Sequence, residues 1–181
     1  TNSKAIGNFF YKNEGNGNFT KITTGVVATD KNTSHGCSFA DIDNDGDIDF
    51  IRNTHSLIEV YKNSGAPNFT FTKSQYFDAA YFIGTGTQTG LNSEGMGFMD
   101  FDGDGDLDLF IEDHEYGVEI MINNGTGFYT HYTTDASPKG FGTTGVSGDY
   151  SLVADLNNDG YVDILARREG TGSNNSQGDI F

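Results

Sequence analysis

The sequence predicts an all-β protein in which one four-stranded unit recurs along the chain. An acidic block appears three times, as DIDNDGDIDF at 41–50, DFDGDGDLDL at 100–109 and DLNNDGYVDI at 155–164. The runs beside each block are apolar or alternate in polarity, which is the pattern of strands rather than helices. The composition agrees, because 13% of residues are aromatic and 25 are Gly, as in chains of short strands and tight turns. Such a recurrence marks a repeat architecture.

The first two strands of the unit stand on either side of the acidic block. The stretches before the block are CSFA (37–40), MGFM (96–99) and SLVA (151–154). The stretches after it are IDFIR (48–52), LDLFIED (107–113) and VDILARR (162–168). Their β-branched and aromatic residues favour strands. The block is therefore predicted to be the loop between two antiparallel strands.

A third and a fourth strand complete the unit. The third strands are LIEVYKN (57–63) and GVEIMIN (117–123), which end in the turns NSG (63–65) and NNG (123–125). The fourth strands are NFTFTK (68–73) and TGFYTHYT (126–133). Near its start the chain repeats this second half, since Tyr11, Lys12 and Asn13 match the YKN of 61–63. The chain is thus expected to open and to close in the middle of a unit.

Four antiparallel strands per repeat, arranged radially, describe the blades of a β-propeller. A β-solenoid and a two-sheet sandwich are the competing architectures, and the long, uneven links argue against a regular solenoid. The predicted parts are a C-terminal half-blade at 1–23, blades at 37–74 and 96–133, an N-terminal half-blade at 150–181, and links at 75–95 and 134–149. Because propellers close with about four to eight blades, the segment is expected to belong to a longer chain or to self-assemble.

The charge balance excludes some classes of partner. The 181 residues carry a formal net charge of −16, from 26 acidic and 10 basic side chains. Nucleic-acid binding is disfavoured, because phosphate contacts need Lys and Arg, and anionic membranes are disfavoured for the same reason. No apolar run approaches the roughly 18 residues of a membrane-spanning helix. The single cysteine, Cys37, forms no internal disulfide and is expected to be a small buried residue.

The acidic loops have the spacing of a Ca²⁺ loop. Carboxylates at positions one, three and five, with a backbone carbonyl at seven, suit a hard cation. Glycine stands at position six in all three loops, where a sharp turn is needed: Gly46, Gly105 and Gly160. An EF-hand is rejected, because position twelve lacks its acidic ligand and the flanks are strands. The shared pattern is instead D-x-[DN]-x-D-G-x-x-D.

This loop between an apolar and an aliphatic strand, with the hairpins YKNEGNGNFT (11–20) and YKNSGAPNFT (61–70), resembles the FG-GAP/VCBS repeat. The resemblance implies a β-propeller with Ca²⁺ in each loop, about three ions in all. The side-chain ligands it implies are Asp41, Asp43, Asp45 and Asp49; Asp100, Asp102, Asp104 and Asp108; and Asp155, Asn157, Asp159 and Asp163. The carbonyls of Asp47, Asp106 and Tyr161 would complete the sites. Asn157 removes one charge, so the third site is expected to bind more weakly.

The resemblance also implies an extracellular or cell-surface protein that acts as a binding or adhesion module for a protein or a glycan. An accessory or catalytic propeller of a secreted polysaccharide-degrading enzyme is the alternative, although no catalytic constellation is visible; a structural spacer is a third. Partners are expected on the face opposite the acidic loops, where the segments vary. The candidate contacts are His55, His114, Tyr116, Arg168, Tyr76 and Tyr81.

Overall fold

The computed structural model describes residues 8–32, 34–54, 57–67, 70–78, 93–113, 117–132, 151–168 and 178–179. The strands of the first half are β1 (Phe10–Gly15), β2 (Asn18–Ile22), β3 (Ser34–Ala40), β4 (Asp49–Thr54), β5 (Leu57–Asn63) and β6 (Phe71–Asp78). Those of the second half are β7 (Ser93–Met99), β8 (Asp108–Asp113), β9 (Gly117–Asn123), β10 (Tyr129–His131), β11 (Ser151–Ala154), β12 (Asp163–Arg168) and β13 (Gly178–Asp179). A single helical turn, α1 (Val26–Thr29), follows β2.

The strands form separate antiparallel sheets in chain order. Strands β3 to β6 make one four-stranded sheet and β7 to β10 make a second, each ordered as in the sequence. Strands β1 and β2 form a two-stranded sheet, and β11 to β13 form a three-stranded one. Within the described residues, every strand pairing is antiparallel and joins consecutive strands, for example with Ile51 opposite Val60 and Leu109 opposite Met121. The all-β prediction, with four-stranded propeller-like repeats, is confirmed.

The sheets stack face to face, with their first strands as neighbours. Strand β7 contacts β3 on one side and β11 on the other. The space between the two four-stranded sheets is filled by a buried apolar cluster from both: Ile42, Ile51, Ile58, Val60, Phe77, Met96, Leu109, Ile111, Met121 and Tyr129. A second cluster, with Met99, Phe110 and Ile120 at its centre, packs against Val153 and Ile164 of the next sheet. Because the sheets are covered on both faces, strands such as LDLFI show hardly any alternation of polar and apolar residues.

Some strand bounds differ from the sequence expectation. Strand β6 occupies Phe71–Asp78 rather than 68–73, so residues 75–78, which were assigned to a link, belong to the sheet. The reason is Phe77, which is 1% exposed and lies in the core between the sheets. Strands β3 and β7 also begin three residues earlier than expected, and a bulge near their starts hides the alternation.

Cys37 was expected to be buried, but its side chain is exposed, because it lies on the face of β3 that is turned away from β7. No helix in the described part of the chain is long and apolar enough to cross a bilayer. Residues 79–92 of the first predicted link and the whole of the second, 134–149, lie outside the described residues.

Candidate metal centres

The first acidic loop, residues 41–48, is wound around the carboxylate of Asp41. The two oxygens of this side chain accept the backbone N–H groups of Asp45 at 3.1 Å and Gly46 at 2.9 Å. Gly46 has a φ of 90°, which only glycine adopts without strain. Asp45 in turn accepts the N–H of Asp47 at 2.9 Å. The loop is therefore held by its own carboxylates.

Asp49, at position nine, ties this loop to the third strand of its sheet. Its Oδ2 accepts the N–H of Ile42 at 3.2 Å, and its Oδ1 accepts the N–H of Asn63 at 2.6 Å. The side chain is fully buried. Burial raises the pKa of Asp49, the two backbone hydrogen bonds oppose the rise, and the nearby charges of Asp43 and Asp45 add to it. A carboxylate held in this way is stabilised by a nearby cation.

The second loop, between β7 and β8, is held by closely similar contacts, although Asp100 accepts from position four where Asp41 accepts from position five. Asp100 accepts the N–H groups of Gly103 at 2.8 Å and Gly105 at 3.1 Å. Asp108, which is also fully buried, accepts from Phe101 at 2.8 Å and from Asn123 at 2.8 Å. Burial is again the main cause that raises the pKa of Asp108. The sequence repeat is thus a repeat of hydrogen-bond geometry.

The third loop keeps the same turn, and its asparagine makes hydrogen bonds within the loop. Asp155 accepts the N–H groups of Asp159 at 3.1 Å and Gly160 at 2.9 Å. The amide oxygen of Asn157 accepts the N–H of Asp159 at 2.9 Å, and its amide nitrogen donates to the Asp159 carboxylate at 3.0 Å. Asp163 accepts from Leu156 at 3.0 Å. The amide therefore replaces one carboxylate without changing the turn.

In the first two loops, three carboxylates converge. One oxygen from each of Asp41, Asp43 and Asp49 lies within 4.8 Å of the others, and Asp100, Asp102 and Asp108 form the same arrangement. Positions one, three and nine are thus brought together. Asp45 and Asp104, the expected ligands at position five, are not members of these groups. Each of them accepts the N–H of the residue at position seven at 2.9 Å.

Asp43 provides the clearest test of whether a cation fits. Its Oδ1 is buried and has no hydrogen-bond partner, while its Oδ2 lies 3.1 Å from the ammonium of Lys62. A buried carboxylate oxygen without a partner is costly. A hard cation bound by oxygen ligands satisfies such an atom, so the donor set of this loop fits one.

The aspartates at position seven explain the glycines of the neighbouring turns. A Cβ on Gly65 would lie 1.9 Å from Oδ2 of Asp47, and one on Gly125 would lie 2.5 Å from Oδ2 of Asp106. Only glycine allows these approaches. The first two acidic loops therefore each lie against the turn between the third and fourth strands of their own sheet, at the same end of the blade.

Sequence reasoning missed the polar residues that support the loops from outside. Besides Lys62, these include Asn63, whose amide donates to the Ile48 carbonyl at 3.1 Å, and Asn123, which donates to Leu107 at 3.1 Å and to Ile42 of the preceding sheet at 2.8 Å. Their sequence signal is the asparagine that ends each third strand, read above only as part of a turn. Asn44 also reaches the next loop, donating to Asp106 at 2.9 Å.

A second polar cluster lies in the first four-stranded sheet, away from the acidic loops. Arg52 is 3% exposed and donates to Glu59 at 2.9 Å, to Asp30 at 2.6 Å and to the Tyr61 hydroxyl at 2.9 Å. Lys73 donates to the other oxygen of Glu59 at 2.5 Å. Burial raises the pKa of Tyr61 strongly. The cluster pairs two carboxylates with two cations and is therefore internally neutral.

The predicted partner-binding residues are placed only in part. His55, His114, Tyr116 and Tyr81 lie outside the described residues. Arg168 is the last residue of β12, and the position of its side chain is likewise outside the description. Tyr76 lies on β6 and is exposed.

Comparison with known proteins identifies the repeat. No curated protein matches the chain. The family model described as the FG-GAP-like repeat matches residues 3–52, 41–111 and 100–166. The second match runs from the first acidic loop to the strand after the second loop, and the third runs from the second loop to the strand after the third. Together these matches extend over nearly the whole sequence and include every acidic loop, and the chain therefore belongs to the FG-GAP-like repeat family.

Proposed function

We propose that the chain is a Ca²⁺-binding β-propeller module of an extracellular protein, which binds a protein or glycan partner on the face opposite its acidic loops. The observation that carries the proposal is the convergence of three carboxylates at the same positions of two consecutive repeats. The family, in which the repeats form propeller-type binding modules, supports the same reading.

The donors in these loops are oxygens, which favours a hard cation over a transition metal. In the first loop Asp41, Asp43 and Asp49 would hold the ion, and in the second loop Asp100, Asp102 and Asp108 would hold it. A bound cation neutralises carboxylates that otherwise repel one another. Because Asp49 also accepts the N–H of Asn63, a cation that keeps this buried carboxylate ionised would preserve the connection between the loop and β5.

The third loop is proposed as a weaker site. Asp155, Asn157 and Asp163 occupy the corresponding positions, so one carboxylate is replaced by a neutral amide. Ca²⁺ affinity in oxygen-ligand loops varies with the number of charged ligands. Occupancy of about three ions is therefore expected only at the higher Ca²⁺ concentrations.

The proposed partner face follows from the order of the strands. In a blade of consecutive antiparallel strands, the acidic loop and the turn after the third strand share one end, as the contact between Asp47 and Gly65 illustrates. The segments at the other end differ from repeat to repeat, and recognition tends to use variable loops on a rigid scaffold. The partner is accordingly placed at 53–56, 113–116 and 168–175 and at the links.

The first prediction tests the cation. Asp43→Asn gives the first loop the side-chain set of the third loop, so it should weaken binding at the first loop, seen in calorimetric titration as one strong site fewer, and should reduce the rise in melting temperature that Ca²⁺ produces. The control is Asp47→Asn in the same loop, which removes the same charge from a side chain outside the three-carboxylate group. A wild-type melting midpoint that is identical in Ca²⁺ and in chelator would refute the proposal.

The partner class needs a separate measurement. Binding of the Ca²⁺-loaded chain to arrays of glycans and extracellular-matrix proteins should reveal a ligand without turnover. Release of reducing sugar ends from a polysaccharide would instead support the enzyme-associated alternative.

A further inference from the structure

The first and second acidic loops belong to the two complete, four-stranded sheets, and two asparagines connect them directly. Asn44 in the first loop donates to Oδ1 of Asp106 in the second loop at 2.9 Å. Asn123, at the end of β9, donates to the carbonyl of Ile42 in the first loop at 2.8 Å. The two bonds span 62 and 81 positions of the chain, so they form only when the two sheets are packed together.

Ile42 is the residue through which the second sheet holds the first loop. Its chain neighbours, Asp41 and Asp43, are two of the three converging carboxylates, and its own N–H donates to the third, Asp49, at 3.2 Å. The backbone of this one residue is therefore attached to the whole group, by peptide bonds on both sides and by one hydrogen bond. Its side chain is 1% exposed and lies in the apolar cluster between the sheets.

Asn123 carries the connection to the second loop. Its backbone N–H donates at 2.8 Å to Asp108, which is one of the three converging carboxylates there. Its side-chain oxygen accepts the N–H groups of Gly125 at 3.2 Å and Gly127 at 3.0 Å, while its amide nitrogen donates to Ile42. These bonds fix a side chain that is almost completely buried. One residue thus holds a carboxylate of the second group and the backbone of the first.

Asn63 has the same place in the first sheet and shows which of these bonds serve a single loop. Its N–H donates to Asp49 at 2.6 Å, its amide donates to Ile48 at 3.1 Å, and its side-chain oxygen accepts the N–H of Gly65 at 3.1 Å. All three partners belong to its own sheet. Among the described residues, the bond to a neighbouring sheet is what distinguishes Asn123 from Asn63.

The link through Asn44 is particular to this pair of loops. Asn44 stands at position four with a φ of 58°, and the second loop has Gly103 there, with a φ of 81°. Position seven, which accepts the bond in the second loop, is Tyr161 in the third. Gly103 has no side chain that could donate and Tyr161 has no carboxylate that could accept. The same link therefore cannot recur between the second and third loops.

We propose that the first two cation sites are coupled through Asn44 and Asn123, so that a cation bound in one loop raises the affinity of the other. This proposal rests on the proposed cation sites. A loop that an occupied neighbour already holds in place has less conformational freedom to lose when it binds its own ion. Both asparagines are positioning residues, because they act through the carboxylates and the loop backbone rather than on the ion.

Electrostatic repulsion acts in the opposite direction. A divalent cation in the first loop cancels part of the negative charge that attracts a second cation to the neighbouring loop. This effect is screened by salt, since the Debye length falls from about 10 Å at 0.1 M to about 3 Å at 1 M. Coupling through hydrogen bonds acts by contact, so it should persist in high salt and become more favourable as the repulsion disappears.

The first experiment measures the coupling by calorimetric Ca²⁺ titration in high salt. An Asn157→Ala background removes a proposed ligand of the third loop. Asp102→Ala then leaves the first site, and Asp43→Ala leaves the second, and the product of their two association constants is the value for independent sites. The chain with both sites should exceed this product about fivefold, the lower end of the range for coupled sites.

The asparagine variants test which residues carry the coupling. Asn44→Gly gives the first loop the residue that the second loop has at position four, and glycine keeps the positive φ without strain. Asn44→Gly and Asn123→Ala should each reduce the coupling factor, and the double variant should bring it to the value of independent sites. Asn63→Ala is the matched control and should leave the factor unchanged. Because Asn44 is exposed, Asn44→Gly decides the question if Asn123→Ala does not fold.

The second experiment follows the link itself by hydrogen exchange. In Asp43→Ala, Ca²⁺ occupies the second site, and the N–H of Ile42 in the first loop should exchange more slowly when it does. Adding Asn123→Ala should remove this response. Independent or negatively coupled sites in high salt, or full coupling in both asparagine variants, would overturn this proposal and leave the cation proposal standing. A wild type that binds no Ca²⁺ would overturn both.

Discussion

At the scale of single residues, the acidic loops of the two four-stranded sheets differ in one nearby basic side chain. Lys62 lies 3.1 Å from Asp43 and also donates to the carbonyl of Thr126 in the next sheet. The corresponding residue beside the second loop is Ile122. An ammonium group therefore neutralises part of the first loop, and a bound Ca²⁺ would compete with it for Asp43.

Replacing this lysine should strengthen cation binding at the first loop. An ion pair with one partner about one-third exposed contributes up to about 1 kcal/mol, so Lys62→Met is expected to increase Ca²⁺ affinity about two- to fivefold and to lower the melting temperature in chelator. Lys12→Met is the control, because Lys12 has the same place in β1 but pairs with Glu14 at 2.9 Å. Calorimetric titration measures both, and a weaker first site in Lys62→Met would contradict the competition.

The polar cluster around Arg52 should make stability depend on pH. Burial acts to raise the pKa of Asp30, but hydrogen bonds from Asn32 and Arg52 outweigh it and the pKa is lowered. A lowered folded-state pKa means that Asp30 stabilises the fold fully above its unfolded value near 3.8 and loses this contribution as the pH falls through the folded value. Urea unfolding of wild type and Asp30→Asn between pH 7 and pH 2 should show the two curves converging in acid. Parallel curves would exclude this linkage.

The residues that converge in the acidic loops follow from the sequence more directly than those that support them. The spacing indicates ligands at positions one and three, and the family resemblance adds position nine, whereas Asp45 at position five was also expected but is not in the group of Asp41, Asp43 and Asp49. The ion pair of Lys62 with Asp43 could not be predicted from the sequence. Lysine occurs at the same place in β1, where it pairs with Glu14, and only the packing of adjacent sheets decides which carboxylate it meets.

At the scale of elements, the existence of the strands was predictable, but only some of their ends were. Strands β5, β9 and β11 begin and end where their sequence pattern does, and each is followed by an acidic loop or by a turn that contains Asn and Gly. Strand β6 was placed too early, since the apolar Phe77 at its end becomes part of the core only through contact with the second sheet. The single turn of α1 has no amphipathic pattern and was not predicted.

In the two complete sheets, the turn after the third strand should tolerate no side chain at its glycine. Gly65 has a φ of 65°, and a Cβ on it would overlap the carboxylate of Asp47, so Gly65→Ala should destabilise the fold by about 1–3 kcal/mol from strain and displacement. Gly17→Ala, with a φ of 79° and nothing within 4 Å of its Cβ, is the control for backbone strain alone. Chemical denaturation measures both, and equal losses would show that the contact with Asp47 costs nothing.

At the scale of the whole molecule, the complete sheets are joined by both apolar and polar contacts. The buried cluster between them takes side chains from each, and Gln75 exchanges two hydrogen bonds with the backbone of Tyr129, at 2.8 and 2.9 Å. Asn44 and Asn123 bridge the loop ends. The sequence repeat predicted that the sheets stack on one another. It could not predict the hydrogen bonds of Gln75, Asn44 and Asn123, because each joins residues from different repeats.

Unfolding of the two complete sheets should accordingly be one event. Ile111→Ala removes a side chain that is 1% exposed from the space between them and should cost about 2–5 kcal/mol. The loss should appear as a shift of a single melting transition, followed by circular dichroism and calorimetry. Ile48→Ala, at a residue that is 53% exposed, should change stability by less than about 0.5 kcal/mol. Two separated transitions would show that the sheets melt independently.

The exposed position of the single cysteine gives the molecule a natural reporter. Cys37 lies in the wall of a cavity beside the first four-stranded sheet, and desolvation by its surroundings raises the pKa of its thiol, so its alkylation should be slow at neutral pH and faster in mildly alkaline buffer. A fluorophore or spin label attached there lies in the middle of β3, four residues before the start of the acidic loop. Quenching or distance measurements from this one site can therefore follow, in real time and without any engineered cysteine, whether the cavity opens, fills or closes when solution conditions change.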